Sequence, residues 1–328
     1  MIIVEIGNYG TLWEDYYSKY RIVASSLRKP ILFKWLYNNY TTLYLSCVDP
    51  SDVLRLADLK TCLALVDVAV DDSCDCASLI EKNGRDEFTY EILNMLYDID
   101  KIASGVYTPM YSNLGKNLYI KTCYHIFSDI IRNHVTSLPK YYNFRGEFFL
   151  AIRNVAESME FSYILNKNKV IYPFSEVIKN KAASTMVAVH SILDLMCSND
   201  FDDSELGNAI SLFKMADIVA TLDNAIYTWK REIIERDYSS PIISFALEKK
   251  LIKFNDFEKI SVEKMEEILL PLLEILNDEL NNTLLSMEVF VENYEIKSFK
   301  ASEFINNYRT YASENQRKNK QVTNIVGL

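Results

Sequence analysis

The sequence predicts an all-α fold in a single domain, and three observations carry that expectation. The 328 residues include only 8 Gly and 7 Pro, against roughly 23 and 16 in an average chain of this length. Both residues punctuate tight turns, so their scarcity leaves too few for the many short strands of a sandwich or barrel. Apolar residues recur at three- and four-residue intervals over 54–80, 88–104, 116–136, 145–165, 178–197, 204–236, 261–293 and 298–314, which is the period of a helix. No Gly/Ser- or Pro-rich linker divides the chain and no long repeat recurs, so 1–314 reads as one α-helical domain. The tail 315–328 is polar and weakly basic and is expected to be mobile.

Each element has a sequence reason. The segment 54–80 (LRLADLKTCLALVDVAVDDSCDCASLI) contains no breaker, and Asn83-Gly84 follows it. Thr108-Pro109 closes the helix over 88–104, and Leu138-Pro139 closes the one over 116–136. Tyr172-Pro173 lies beyond 145–165, and an acidic loop, Ser198–Asp203, ends 178–197. Asp202 with Glu205 three residues on reads as a capping box opening the helix over 204–236, which stops before Ser240-Pro241. Pro271 interrupts the apolar run Ile268–Leu273 inside 261–293. The last periodic stretch is 298–314.

Composition excludes several classes of function. With 49% hydrophobic and 24% charged residues, the chain can bury a core and is not disordered. A formal charge of −10 argues against a nucleic-acid-binding surface, which is usually basic. It leaves room for an anionic small molecule, because bound cations invert the local sign. The six cysteines form no CxxC pair and follow no secretory leader, so they read as reduced thiols of a cytoplasmic protein. Apolar runs fall far short of the ~20 residues that span a bilayer. His125, His134 and His190 lack HxxxH or HExxH spacing and read as structural or surface residues. GxGxxG, Walker-type and GxSxG sequences are absent.

Two constellations carry chemistry. At 71–75 the chain reads DDSCD, preceded by Asp67. Successive helical residues turn by about 100°, so Asp67, Asp71 and Asp75 form one stripe with about 40° offsets. Like charges at i,i+4 repel, and this stripe emerges from an apolar segment; a cation above it would resolve the conflict. Hard divalent cations take such oxygen ligands, and Mg²⁺ adds water and phosphate oxygens to a few carboxylates. The plainer alternative is an acidic helix end facing solvent. The second constellation lies in TLDNAIYTWKREIIERDYSS, where Asn224, Thr228 and Glu232 are spaced i, i+4, i+8 within about an 80° arc. An amide oxygen, a hydroxyl and a carboxylate again suit Mg²⁺, with Lys230, Arg231 and Arg236 nearby for a phosphate oxygen. Either pattern arises by chance in roughly one chain in ten. Both together, in this order on two long helices, are much rarer.

With these residues in place, the chain resembles the microbial class I terpene synthases. Asp71, Asp72 and Asp75 match that family's aspartate-rich DDxxD, and Asn224, Thr228 and Glu232 match its N-D-x-x-S/T-x-x-x-E. Arg236-Asp237-Tyr238-Ser239 is similar to the segment that follows it. The resemblance implies a helical bundle of the class I isoprenoid-synthase type with a central active-site cavity. It implies three Mg²⁺ ions, with Mn²⁺ as the substitute ion, and a linear prenyl diphosphate as substrate, which is ionised and cyclised. It also implies a diphosphate sensor after a proline, where Lys181 stands with Lys179 as competitor, and an Arg-Tyr pair near the C-terminus, where Arg309 and Tyr311 stand. Arg231 completes the cations expected to meet the diphosphate. Homodimers are common in that family. The family's second motif carries Asp after Asn, where this chain has Ala225, and its sensor is Arg, whose bidentate fork a lysine lacks.

Three alternatives compete. Prenyl chain elongation would place a second aspartate-rich motif where Asn224, Thr228 and Glu232 lie. Asp67 and Asp71 fit the DxxxD of squalene- and phytoene-synthase-like enzymes, but no second DxxxD follows at the matching position. A non-catalytic helical interaction protein would present both acidic stripes to solvent.

Overall fold

The computed structural model describes residues 11–24, 28–83, 86–106 and 117–317. Among them there are helices, no strand, and one isolated antiparallel bridge between Val48 and Ser198. The all-α expectation holds. The break at Thr108-Pro109, Gly84 of the Asn83-Gly84 break, and the tail from 318 onward lie outside the described residues.

Two short helices that the periodicity does not single out come first, α1 (Leu12–Tyr20) and α2 (Pro30–Tyr40). Pro30 sits at the first position of α2, where its fixed φ is preorganised and its missing N–H costs nothing. The hub is α3 (Val53–Asp75), with 15 of its 23 residues buried and only Leu54 and Arg55, in its first turn, exposed. Around it pack α1, α2, α4 (Ala77–Asn83), α5 (Asp86–Tyr97), α7 (Leu118–Asp129) and α8 (Tyr141–Asn168), with α6 (Ile99–Ser104) between α5 and α7 in sequence. A π-helical segment, Ile130–Val135, extends α7 up to the Leu138-Pro139 break.

The second half is built on α11 (Leu206–Glu235), a 30-residue helix about 45 Å long. It packs on α9 (Phe174–Lys181), α10 (Val187–Met196), α12 (Pro241–Glu248), α15 (Leu273–Asn293) and α16 (Ala301–Arg317), with α13 (Asp256–Lys259) and α14 (Val262–Leu269) joining α12 to α15. Pro271 lies in a 3₁₀ turn, Leu270–Leu272, that splits the stretch read as one helix.

Three departures from the periodicity shape the site. The helix expected over 54–80 ends at Asp75, because Cys76 takes an extended backbone (φ −82°, ψ 94°). The stretch 178–197 is also cut: a 3₁₀ turn, Ala182–Thr185, is followed by Met186 in the left-handed region (φ 58°). Neither Gly nor Pro marks that place. Instead Asp217 of α11 caps α10 from outside, its Oδ1 accepting from Val187 N at 2.8 Å, Ala188 N at 3.3 Å and the Thr185 hydroxyl at 3.2 Å. The third departure is half of the capping box. Asp202 caps as expected, taking Ser204 N at 2.9 Å. Glu205 does not fold back; its carboxylate takes the N–H groups of Lys297 and Ser298 at 2.9 Å, tying the start of α11 to the loop before α16.

Candidate functional site

The C-terminal turns of α3 and α11 face one cavity of about 470 Å³. The DDxxD segment forms the last turn of α3, and Glu232 lies in the last turn of α11 before Arg236 turns left-handed (φ 58°). The C-terminus of a helix carries the negative end of its dipole. Two such ends bearing acids meet here, so the field in the cavity draws cations. Eight carboxylates (Asp67, Asp71, Asp72, Asp75, Asp223, Glu232, Glu235 and Asp237) and three cations (Arg28, Lys181 and Arg231) line it. At formal charges the acids outnumber the cations by five, more than a protein holds comfortably ionised out of water.

All six residues singled out as metal ligands line this cavity. Their present partners differ. Asp72 is taken up by the protein: one oxygen accepts from Arg28 Nε at 2.9 Å and Nη2 at 2.6 Å, the other from the Tyr20 hydroxyl at 3.0 Å. Asp71 lies 3.7 Å from the same Arg28 and stays a third exposed to the cavity. Asp75 accepts from Asn166 Nδ2 at 2.9 Å, and that same amide donates to Asp237 at 3.0 Å, so one side chain of α8 joins the two acidic walls. On α11, Asn224 is exposed, whereas the Thr228 hydroxyl and the Ser240 hydroxyl both bond the carboxylate of Glu232.

Electrostatics follow from burial. Burial raises the carboxyls of Asp67, Asp71, Asp75 and Glu232 above the usual range, and neighbouring acids push in the same direction. Asp237 differs: Lys181, Ser239 and Asn166 outweigh its burial and hold it below that range. Lys181 is the counterpart, 3.1 Å from Asp237 and 2.8 Å from the Ser239 hydroxyl. Burial alone would lower its pKa, but Asp237, Asp75 and Glu232 raise it instead. Among the described residues, no three His, Cys, Asp or Glu side chains are grouped to hold one metal ion. The carboxylates are instead turned toward Arg28, Asn166, Lys181 and Ser240.

The expected diphosphate cations separate. Lys181 and Arg231 line the cavity, and so does Tyr311, whose ring lies 5.9 Å from Trp35. Lys179 lines a different surface depression and is exposed. Arg309 is not among the lining residues; its guanidinium pairs with Glu288 at 2.7 Å and Asn306 at 2.8 Å on the outer side of α16. Spacing on α16 explains this: two residues apart is about 200° around a helix, so Arg309 and Tyr311 cannot share a face. Arg28 and Asn166 have no sequence signal at all, because each comes from an element far from either motif. Asp237 and Ser239 stood in the segment after the second motif, where only the resemblance drew attention to them. Away from the acids, Leu32, Trp35, Leu36, Tyr40, Val187, Tyr227 and Tyr308 complete the wall.

Comparison with known proteins adds the fold and little else. No family model and no curated protein sequence matches the chain. Among solved structures, it is similar to isoprene synthase from grey poplar leaves (Populus x canescens) in complex with three Mg²⁺ ions and dimethylallyl-S-thiolodiphosphate. The TM-score is 0.57 at 12% identity, over 92% of this chain and 53% of that one. A second structure of the same plant enzyme gives a TM-score of 0.56 at 12% identity, over 95% of this chain and 56% of that one. The chain thus spans about half the length of the proteins it matches and shares their all-helical fold. No helix among the described residues is long and apolar enough to cross a membrane.

Proposed function

We propose that this chain is a Mg²⁺-dependent terpene synthase, a carbon–oxygen lyase that ionises a linear prenyl diphosphate, cyclises the resulting carbocation and releases diphosphate. The observation that carries the reading is the pair of acidic helix ends, on α3 and α11, opening on one cavity whose remaining wall is mostly apolar and aromatic, with Asn39, Ser184, Thr185 and His190 among it. The donor set fits the ion: every ligand candidate offers a hard oxygen, and the surplus of carboxylates asks for positive charge. Asp71 and Asp75 on one side and Asn224, Thr228 and Glu232 on the other would hold Mg²⁺, with Asp72 anchoring Arg28 behind them. Bound there, Mg²⁺ supplies Lewis-acid stabilisation of the charge that develops on the leaving diphosphate.

The chain's own groups do the rest. Lys181, held by Asp237 and Ser239, and Arg231, paired with Glu235 at 3.1 Å, would offer positioned cations to diphosphate oxygens as charge develops. Tyr311 lines the same cavity, its ring against Trp35. The rings of Trp35, Tyr40, Tyr227 and Tyr308, also in the lining, would give a carbocation a polarisable surface. Similarity to isoprene synthase, whose structure holds three Mg²⁺ ions and a dimethylallyl diphosphate analogue, supports this reading through the fold.

The test is incubation with geranyl, farnesyl and geranylgeranyl diphosphate, with and without Mg²⁺, followed by diphosphate assay and analysis of extractable products. Mg²⁺-dependent diphosphate release with a cyclic terpene from at least one chain length is expected. No release from any of the three would overturn the proposal.

A further inference from the structure

At the end of the cavity away from the acids stands a group that this chemistry leaves idle. His190, in the first turns of α10, is 5% exposed and lines the cavity. The Lys60 backbone beside the ring favours its protonated form, against burial. The ring Nε2 has no hydrogen-bond partner. A buried polar atom left bare is rare and asks for a reason.

The surroundings keep that nitrogen a lone-pair donor. Tyr40 of α2 meets the ring edge-on, with centroids 4.7 Å apart at 71°. Lys60 of α3 is 1% exposed and held by Asp194 of α10 at 2.7 Å and by the Leu43 carbonyl at 3.1 Å. Tyr308 of α16 lines the same region. Burial first, and the Lys60 charge second, hold the imidazole well below its ordinary pKa, so it is neutral near pH 7. Lys60 precedes Asp71 by eleven residues on α3, about 16 Å along the axis. His190 beside it therefore lies at the hydrocarbon end of the cavity, not the diphosphate end.

We propose that His190 Nε2 is the proton acceptor that ends the reaction, so that the product is an alkene, not an alcohol. This rests on the prenyl-diphosphate reading above. The diphosphate leaves with the electron pair of the C–O bond. A C–H bond next to the final cationic carbon then breaks; its electron pair becomes the new π bond, and the proton passes to the Nε2 lone pair. A carbocation is so strong an acid that placement and neutrality of the base matter more than basicity. The weakly basic ring then gives the proton up to water or diphosphate as product leaves, which restores it for the next turnover.

The experiment compares wild type with His190→Asn and His190→Phe on the three prenyl diphosphates with Mg²⁺. Asn replaces the imidazole by a shorter amide whose oxygen is a far weaker base; Phe keeps the ring volume without either nitrogen, should the Asn variant not fold. Both variants are expected to release diphosphate more slowly, and their share of the wild-type alkene should fall about 10²-fold, the low end for a positioned base. Alcohol or displaced double-bond isomers should replace it. A wild type that makes only alcohol, through a water held on Nε2, overturns the proposal, as does an unchanged alkene share in both variants. Those results leave the prenyl-diphosphate reading standing. A wild type that ionises none of the three substrates removes both.

Discussion

Among the described residues, Lys181 is the lysine held between the two acidic walls, and replacing it with Met isolates what that charge contributes. Its side chain is 12% exposed and that of Asp237 is 7% exposed, so the pair is largely out of water. Removing one partner of a buried ion pair costs about 3–5 kcal/mol, because the other charge is left behind. Asn166 and Ser239 still donate to Asp237, which places Lys181→Met near the lower figure. An unfolding entropy of about 2.1 cal/mol/K per residue gives about 0.7 kcal/mol/K for this chain, so ~3 kcal/mol lowers Tm by ~4 °C. The assay is thermal unfolding in EDTA, then with Mg²⁺ and inorganic diphosphate. Added cations substitute for the missing ammonium, and the gap to wild type should shrink. Lys179→Met, on the exposed face, should change stability by less than about 0.5 kcal/mol. A Lys181→Met protein that unfolds at the wild-type temperature in EDTA would refute the reasoning. So would a gap of equal size with and without Mg²⁺ and diphosphate.

Asp71→Asn and Glu232→Gln should each abolish Mg²⁺-dependent diphosphate release while far-UV dichroism keeps the wild-type helical signal; full activity in both would dismiss the two stripes as a site. Asp217, pushed up to about 7 by burial, keeps in the folded state a proton that the unfolded chain sheds near its ordinary value of 3.8. The sign follows: stability falls as pH rises through that window, by at most about 1.4 kcal/mol per unit, and is level above it. Melting curves between pH 5 and 8 should show that slope in wild type and a reduced one in Asp217→Asn; identical curves would speak against it. Arg309→Ala, losing an ion pair that is two-fifths exposed on either side, should cost under about 1 kcal/mol and leave diphosphate release near wild type. A large loss of release would return Arg309 to the role that the resemblance implies.

How much of this was legible in the sequence depends on how local the cause is. The stripes of α3 and α11 are visible because a 3.6-residue period and i,i+4 spacing determine which side chains share a face. Their meeting at one cavity needs tertiary packing, which no spacing encodes. The break between α9 and α10 is invisible to turn chemistry, since Asp217, thirty positions downstream of Val187, makes it. Arg28 and Asn166 were missed for the same reason: each acts on a motif from another part of the chain. Glu205 was misread because a capping box and a clasp on a distant loop need the same residue at the same place. Arg309 was carried by likeness of order alone, and the helical phase of α16 turned it outward.

The burial of α3 beyond its first turn has a kinetic meaning. A helix packed against six others is expected to exchange the amides of its centre slowly, because local opening there would disturb all of them. The aspartates of its last turn are continuous with that slowly exchanging centre. On the other wall, α11 ends at a left-handed Arg236 and the chain turns through Asp237 to Ser240. Addition of Mg²⁺ and diphosphate is therefore expected to change hydrogen exchange more over 236–240 than at the centre of α3.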